Sequence, residues 1–412
     1  MCALRSIGDG FVRSSIYRFG WALLALMLIG TRANAGAVPI FTLTDLGTLP
    51  GTGGSSASGI NDSGQVVGYS TGATAQYVFL YSGGTMHALD TVPGRDSRVN
   101  AINNSGQVVG SFGTGNTFHA FLYSGTTLRD LGVLGGTNSA AYGINDNGQV
   151  VGFSNTGGQF SHAFLYSGGM MHDLGTVEGG GSVAHAINAR EQIAGESGGN
   201  KNGGLLAVLY SGGTFHDLGN LGGNSSQAFG INASGQVVGA SDTTVFTGGA
   251  SPVTHAFLYT GGMMHDLGVL SEPTGGASRS VSQAYAINDS GEVVGASDTN
   301  INSIVGNRRA FLYTNGTMYD LNDLVAGGPG YARVGDRGVV ERYGYIITDA
   351  RGINASGQIV ANAITPTGDE HAVLLTPTAT TAIPLPPAAW AALTAVPLLL
   401  CSKRLRRAIA HG

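Results

Sequence analysis

GINDSGQVVGYS, residues Gly59–Ser70, reads as two short apolar strands joined by a tight turn, and the chain says it again and again. Related wording returns at Ala101–Ser111, Gly143–Ser154, Gly230–Ser241 and Ala286–Ser297. Anchored on the Ile-Asn pair, the copies fall at Asn61, Asn103, Asn145, Asn188, Asn232, Asn288 and Asn354, which makes seven. Asn, Asp, Ser and Gly are what a tight hairpin needs, with Gly taking the positive φ that side chains resist. Each copy is followed by a run like HAFLYSGG, ending in Tyr81, Tyr123, Tyr166, Tyr210, Tyr259 and Tyr313, with Leu375 in the seventh. The first six then reach a motif like MHDLG, around Leu89, Leu131, Leu174, Leu218, Leu267 and Leu321. Ser-Gly-Gly between these two runs is a second hairpin signal, so each unit reads as four short strands.

The seventh unit has no closing motif, but Phe41–Gly47 (FTLTDLG) carries that wording ahead of the first unit. A linear stack has little reason to begin with the last strand of a unit and stop one strand short. A closed ring does, and closure also leaves no free sheet edge to aggregate. Residues 41–377 give about 48 residues per unit, the size of a four-stranded propeller blade. The third strand is apolar on both alternating faces, Phe121 and Tyr123 on one and Ala120 and Leu122 on the other, as suits a sheet sandwiched between neighbours. The expected fold is therefore all-β, a seven-bladed β-propeller closed by pairing of the N-terminal strand with the last blade. A β-solenoid is the second reading. With 69 Gly, disorder also has to be weighed, but 42% hydrophobic and 11% charged residues argue against it.

The ends are of different composition. Arg5, Arg13 and Arg18 precede the apolar run Trp21–Ile29, and Ala33-Asn34-Ala35 supplies the small residues of a cleavage site between Ala35 and Gly36, so residues 1–35 read as a signal peptide. The run is too short to span a hydrocarbon core of about 30 Å. Residues 36–382 are the repeat domain. Residues 383–412 hold Pro384-Leu385-Pro386, an apolar stretch from Ala388 to Cys401, and Lys403, Arg404, Arg406 and Arg407. Removing the two ends leaves 12 basic against 24 acidic residues, a formal charge near −12. Nucleic acid is not an expected partner, because it calls for a basic face. Cys2 and Cys401 both lie in the end segments, so the repeat domain has no disulfide and no thiol nucleophile.

The tail resembles the PEP-CTERM sorting signal in its VPLP-type form, with Leu385 where Glu is common and Pro397 interrupting the apolar stretch. The alternative is a simple C-terminal anchor with its positive charge left on the cytoplasmic side. The resemblance implies a Gram-negative-type bacterium, exosortase-type sorting machinery as a partner, transient membrane contact through the tail, and a secreted or cell-surface location. The repeats resemble the bacterial extracellular repeat proteins of the HAF family: His119-Ala120-Phe121, His162-Ala163-Phe164 and His255-Ala256-Phe257 carry its motif. Tyr77-Val78-Phe79, Leu206-Ala207-Val208, Arg309-Ala310-Phe311 and His371-Ala372-Val373 depart from it. That family implies no reaction.

Loop lengths separate the faces of the ring. Tyr of the third strand to Leu of the fourth is eight residues in all six measurable units, and the turns after Ile-Asn are as uniform, so the face they share reads as scaffold. On the opposite face, the gap from Val-Val-Gly to the HAF position grows from nine residues in the first two units to 16 in the fifth and 14 in the sixth. The Leu-to-Asn step between units is 14 for most, then 21 and 33. Insertions thus cluster on one face of blades five to seven, and loops held by a rigid scaffold are where binding residues concentrate. The longest, Tyr331–Arg351, holds Arg333, Asp336, Arg337, Glu341, Arg342, Asp349 and Arg351, with Tyr343 and Tyr345. Its tyrosines offer flat amphipathic surface, and Arg308, Arg309 and Arg279 could extend an anion-reading patch. The competing reading is an extra hairpin whose charges only solvate it.

Other candidates are weaker. His119, His162 and His255 occupy equivalent positions in different blades, so convergence on a metal is not implied. Asp173, Asp217 and Asp266 repeat in the same way and read as turn or sheet residues rather than a carboxylate pair. No Gly-rich phosphate loop opens a helix, and no cofactor is expected. The expected function is a non-enzymatic, exported surface or matrix protein binding extracellular polysaccharide or a surface protein through the long-loop face of blades five to seven. The alternative is a propeller-type glycan hydrolase or lyase, which needs carboxylates converging near the axial channel.

Overall fold

Strand pairing follows the repeated wording closely. The computed structural model describes residues 38–378 apart from 90–96, 115, 178, 199–202, 247–251, 271–280, 300–307, 328–330 and 335–339. The leader, the Ala35–Gly36 cleavage position and the tail with Pro384, Leu385, Pro386, Arg404, Arg406 and Arg407 lie outside the described residues. Among the described residues the strands form seven four-stranded antiparallel sheets and one small two-stranded sheet. The sheets are the blades of a β-propeller, spanning residues 54–88, 98–132, 139–175, 182–217, 222–266, 282–320 and 346–377. In each of the first six, sheet order equals chain order, with the Ile-Asn strand at one edge and the MHDLG-like strand at the other.

The seventh blade takes its outer strand from the start of the chain. Phe41–Asp45 pairs antiparallel with Glu370–Pro377, Phe41 opposite Pro377 and Asp45 opposite Val373. His371 Nδ1 donates to Asp45 Oδ2 over 2.8 Å, and Leu46 N donates to Ala372 O over 3.0 Å. The pairing expected from FTLTDLG is present. Its benefit differs from the expected one, because the outer strands, four to six residues long, remain sheet edges, although Phe41 of the closing strand is bridged to Val325. What closure covers is apolar sheet face. Leu46, Leu49, Val360, Ala372 and Leu374 of the closing blade pack with Val66 and Phe79 of the first in one buried cluster. Equivalent clusters join each neighbouring pair from the first blade to the sixth, and Phe79, Phe121, Phe164, Phe257 and Phe311 of the third strands are fully buried.

The Val-Val-Gly glycine has a packing role that turn chemistry does not reveal. A Cβ on Gly152 would sit 1.9 Å from Ala140 O of the neighbouring strand, where the register shifts between Ala141 and Gly143. The first strand bulges toward this glycine, and only a hydrogen fits. In the seventh blade Ala361 stands there, and the first strand carries a further register shift between Ile347 and Asp349.

The repeated Asn is more than a turn residue. Asn103 Oδ1 accepts from Ser105 N and Gln107 N, which fixes its own turn. Its Nδ2 donates to Asn145 O of the next blade over 3.0 Å. The same inter-blade bond recurs from Asn61, Asn145, Asn188, Asn232 and Asn288, and Asn354 returns to Asn61 O over 3.1 Å. Seven buried side chains thus form a closed hydrogen-bonded circle. A second stitch lies at the start of the first strands. Ser139 Oγ donates to Gly132 O and accepts from Ala120 N, both in the preceding blade. Ser55, Ser182, Ser226 and Ser282 repeat it.

Candidate functional site

The first strands line the axis, and their residues fall into layers. Ile60, Ile102, Ile144, Ile187, Ile231, Ile287 and Ile353 form an apolar collar that borders two cavities. The cavity on the Asn-circle side measures about 300 Å³ and is walled by the repeated Asn residues and the residues after them. The other, about 490 Å³, opens beyond the collar. Its wall includes the residues two positions before the collar in five blades, Tyr142, His185, Phe229, Tyr285 and Arg351, with Asn100 from the second blade. The corresponding residue of the first blade, Ser58, also lines it.

Four of these side chains make a continuous arc. The rings of Tyr142 and His185 stack at 5.3 Å, His185 meets Phe229 edge-on at 5.4 Å, and Phe229 lies 6.0 Å from Tyr285. The Arg351 guanidinium sits 4.7 Å from the Tyr285 ring centre, a cation–π distance. Arg351 Nε bonds Asp349 Oδ1, and although burial works against its charge, Asp349 raises its affinity for the proton. Burial, with Glu196 nearby, pushes the Tyr142 hydroxyl up. Glu196 accepts from Gln227 Nε2. His185 Nε2 is shielded without a hydrogen-bond partner, and Glu196 Oε2 stands 3.7 Å away, beyond hydrogen-bond reach. On the opposite wall Asn100 Nδ2 donates to Ala141 O over 2.7 Å.

The residues singled out from the loop sector are dispersed. Arg279, Asp336 and Arg337 lie outside the described residues. The long insertion forms a two-stranded hairpin, Tyr331–Val334 with Val340–Tyr343, placing Arg333 opposite Glu341 and Arg342 opposite Ala332 in register. Tyr345 is half-buried, and its hydroxyl donates to Asp45 Oδ2 over 2.8 Å, joining the closure of the ring. Burial, with that carboxylate beside it, pushes the hydroxyl up to about 12. Arg309 is 7% exposed, and burial weakens its hold on the proton while Asp320 opposes that effect. Arg308 is exposed and reaches inward, donating from Nη2 to Tyr285 Oη at the channel wall. Strand alternation sends these two arginines to opposite environments.

The HAF histidines pair within their blades. His119, His162 and His255 donate from Nδ1 to Asp130, Asp173 and Asp266, whose carboxylates also accept from Gly132 N, Gly175 N and Gly268 N. Asp173 and Asp266 thus hold turns, as their repetition suggested, and Asp217 does the same by accepting from Gly219 N. Among the described residues no group of three or more His, Cys, Asp or Glu is placed to hold a metal ion. The channel arc was missed from sequence, although one signal was present. Two places before the repeated Ile the residue changes from Ser to Asn, Tyr, His, Phe, Tyr and Arg, while its neighbours stay small.

Comparison with known proteins agrees on the fold and says little of activity. A family described as "Protein of unknown function (DUF3466)" matches residues 263–376, which reach from the last strand of blade five through blade seven. No curated protein matches the chain. The β-propeller domain of the Trilobed protease from Pyrococcus furiosus is similar in structure, with a TM-score of 0.51 at 10% identity over 78% of this chain and 95% of that one. That domain has an open velcro topology, whereas here the first and last strands pair. Virginiamycin B lyase from Staphylococcus aureus gives a TM-score of 0.47 at 14% identity, covering 82% of this chain and 100% of that one. At these identities the likeness concerns fold alone.

Proposed function

We propose that this protein is an exported binding protein that recognises polysaccharide at the cell surface through the long-loop face of blades five to seven. One contact carries the reading: Arg308, the first described residue after the blade-six insertion, bonds Tyr285 in the channel wall. The inserted sector and the mouth of the larger cavity therefore meet. The opposite face is taken up by the Asn circle and its turns. A surface protein is the second partner class. A hydrolase or lyase would need two carboxylates facing each other across the cavity. Glu196 and Asp349 are instead bonded within their own surroundings, to Gln227 and to Arg351 with Asn362.

The reading includes removal of residues 1–35, handling of residues 383–412 by exosortase-type machinery, and no cofactor or nucleic acid. Intact-mass analysis of surface-extracted protein tests both processing events at once. A glycan array together with pull-down on surface polymer tests the function. Binding that drops when Arg333, Arg337 and Tyr343 are replaced by Ala supports the loop-face site. Absence of binding to any glycan or surface polymer refutes the proposal.

A further inference from the structure

We infer that the 490 Å³ axial cavity is a blind cup that binds the terminal sugars of an uncharged glycan chain end-on; this rests on the polysaccharide reading above and specifies its site and ligand class. The volume lies within the roughly 300–1,000 Å³ of small-ligand pockets.

Three observations give the class. First, the arc from Tyr142 to Tyr285 presents contiguous ring systems that are half-buried rather than covered by protein, with apolar Phe229 among them. Flat rings beside an open cavity suit the C–H faces of a sugar. Second, the facing wall has Ser58 and Asn100, small hydrogen-bonding groups suited to hydroxyls. Third, the charged groups nearby are already engaged: Arg351 pairs with Asp349, and Glu196 accepts a hydrogen bond from Gln227. An anionic ligand would have to displace a carboxylate, whereas a neutral one leaves these pairs intact.

End-on entry follows from the collar. The same seven isoleucines line both cavities, so an apolar collar floors the cup. A polar polymer gains nothing by threading it. The cup then reads a chain end, and affinity scales with free ends rather than polymer length.

The test uses the full-length protein and an array of short neutral and uronate-containing oligosaccharides, each printed once through either terminus, with the strongest binder then titrated by calorimetry. The expected result is binding to neutral oligosaccharides in one orientation only. Tyr142→Ser together with Phe229→Ala should then weaken binding roughly tenfold or more. Phe229→Leu, which keeps apolar volume and loses the ring, should weaken it with an unchanged melting temperature, so that loss of fold is told apart from loss of site. Equal binding in both orientations overturns end-on entry, and preference for uronates overturns the neutral class. If glycans bind but the cup variants bind as well as the parent while Arg333→Ala or Tyr343→Ala abolish it, the cup inference fails and the loop-face function stands. If no glycan binds, both fall.

Discussion

Replacing Asn354 by Asp separates two roles that the repeated Asn plays. Its Oδ1 accepts from Ser356 N at 3.1 Å and Gln358 N at 2.9 Å, holding its own turn. Its Nδ2 donates to Asn61 O at 3.1 Å and Gln358 Oε1 at 2.9 Å, the first of these closing the circle between the last blade and the first. Asp keeps both turn acceptances and suits such turns as well as Asn does. It loses both donors and sets a carboxylate oxygen against a carbonyl at a position 4% exposed. A buried acceptor left without its donor costs about 1–3 kcal/mol. Repulsion between the two oxygens adds to that, and stronger turn bonds to the charged group offset part of it, for a net loss of about 3 kcal/mol. With unfolding entropy of about 2.1 cal/mol/K per residue over Ile40–Thr378, melting falls by about 4 °C. Asn354→Ala, which also loses the turn, falls further. Calorimetry at neutral pH reads both. Acidification should narrow the gap for the Asp variant, since a protonated carboxyl regains a donor. A melting temperature for Asn354→Asp within about 1 °C of the parent, beside a clear drop for Ala, would show that the circle contributes nothing beyond its turns.

Four further expectations concern packing and closure. Gly152→Ala puts a methyl 1.9 Å from a backbone carbonyl and should cost about 3 kcal/mol or more in denaturant unfolding; a loss below about 0.5 kcal/mol contradicts the close approach. A chain starting after Gly47 lacks the outer strand of blade seven and should lose its single cooperative transition, with partial recovery when a peptide covering residues 38–47 is added; cooperative unfolding without that strand would show the ring closes by other means. Asp45 is raised by burial but held below the usual carboxylate range by Gly47 N, His371 and Tyr345, so its stabilisation is present above about pH 4 and is lost as pH falls further. Tyr345, raised to about 12, keeps its proton better when folded, so its contribution is lost as pH rises from about 10 toward that value, and Tyr345→Phe should flatten the alkaline limb of melting against pH.

Much of the architecture was legible because it is written locally. Asn-Asp-Ser-Gly and Ser-Gly-Gly specify hairpins within a few residues, and the stray FTLTDLG declared that the ring closes on its N-terminal strand. The candidate site was less legible. Arg308 and Arg309 look equivalent in a line of letters, yet neighbours on a strand face opposite ways, and one reaches the channel while the other is buried against the influence of Asp320. Tyr345 reads as open aromatic surface until Asp45, 300 residues away, accepts its proton donor.

By itself the sequence determined the number of blades, their four-strand make-up and the identity of the closing strand, since repeat count, strand period and turn residues are properties of short segments. Only the tertiary structure decided that the Asn residues clasp one another, that the Val-Val-Gly glycine yields to a bulge, and that a varied ring of side chains faces a shared cup. The Asn clasp and the cup join positions 41 to 293 residues apart at a common axis. Such a meeting exists only once closure brings all seven inner strands together.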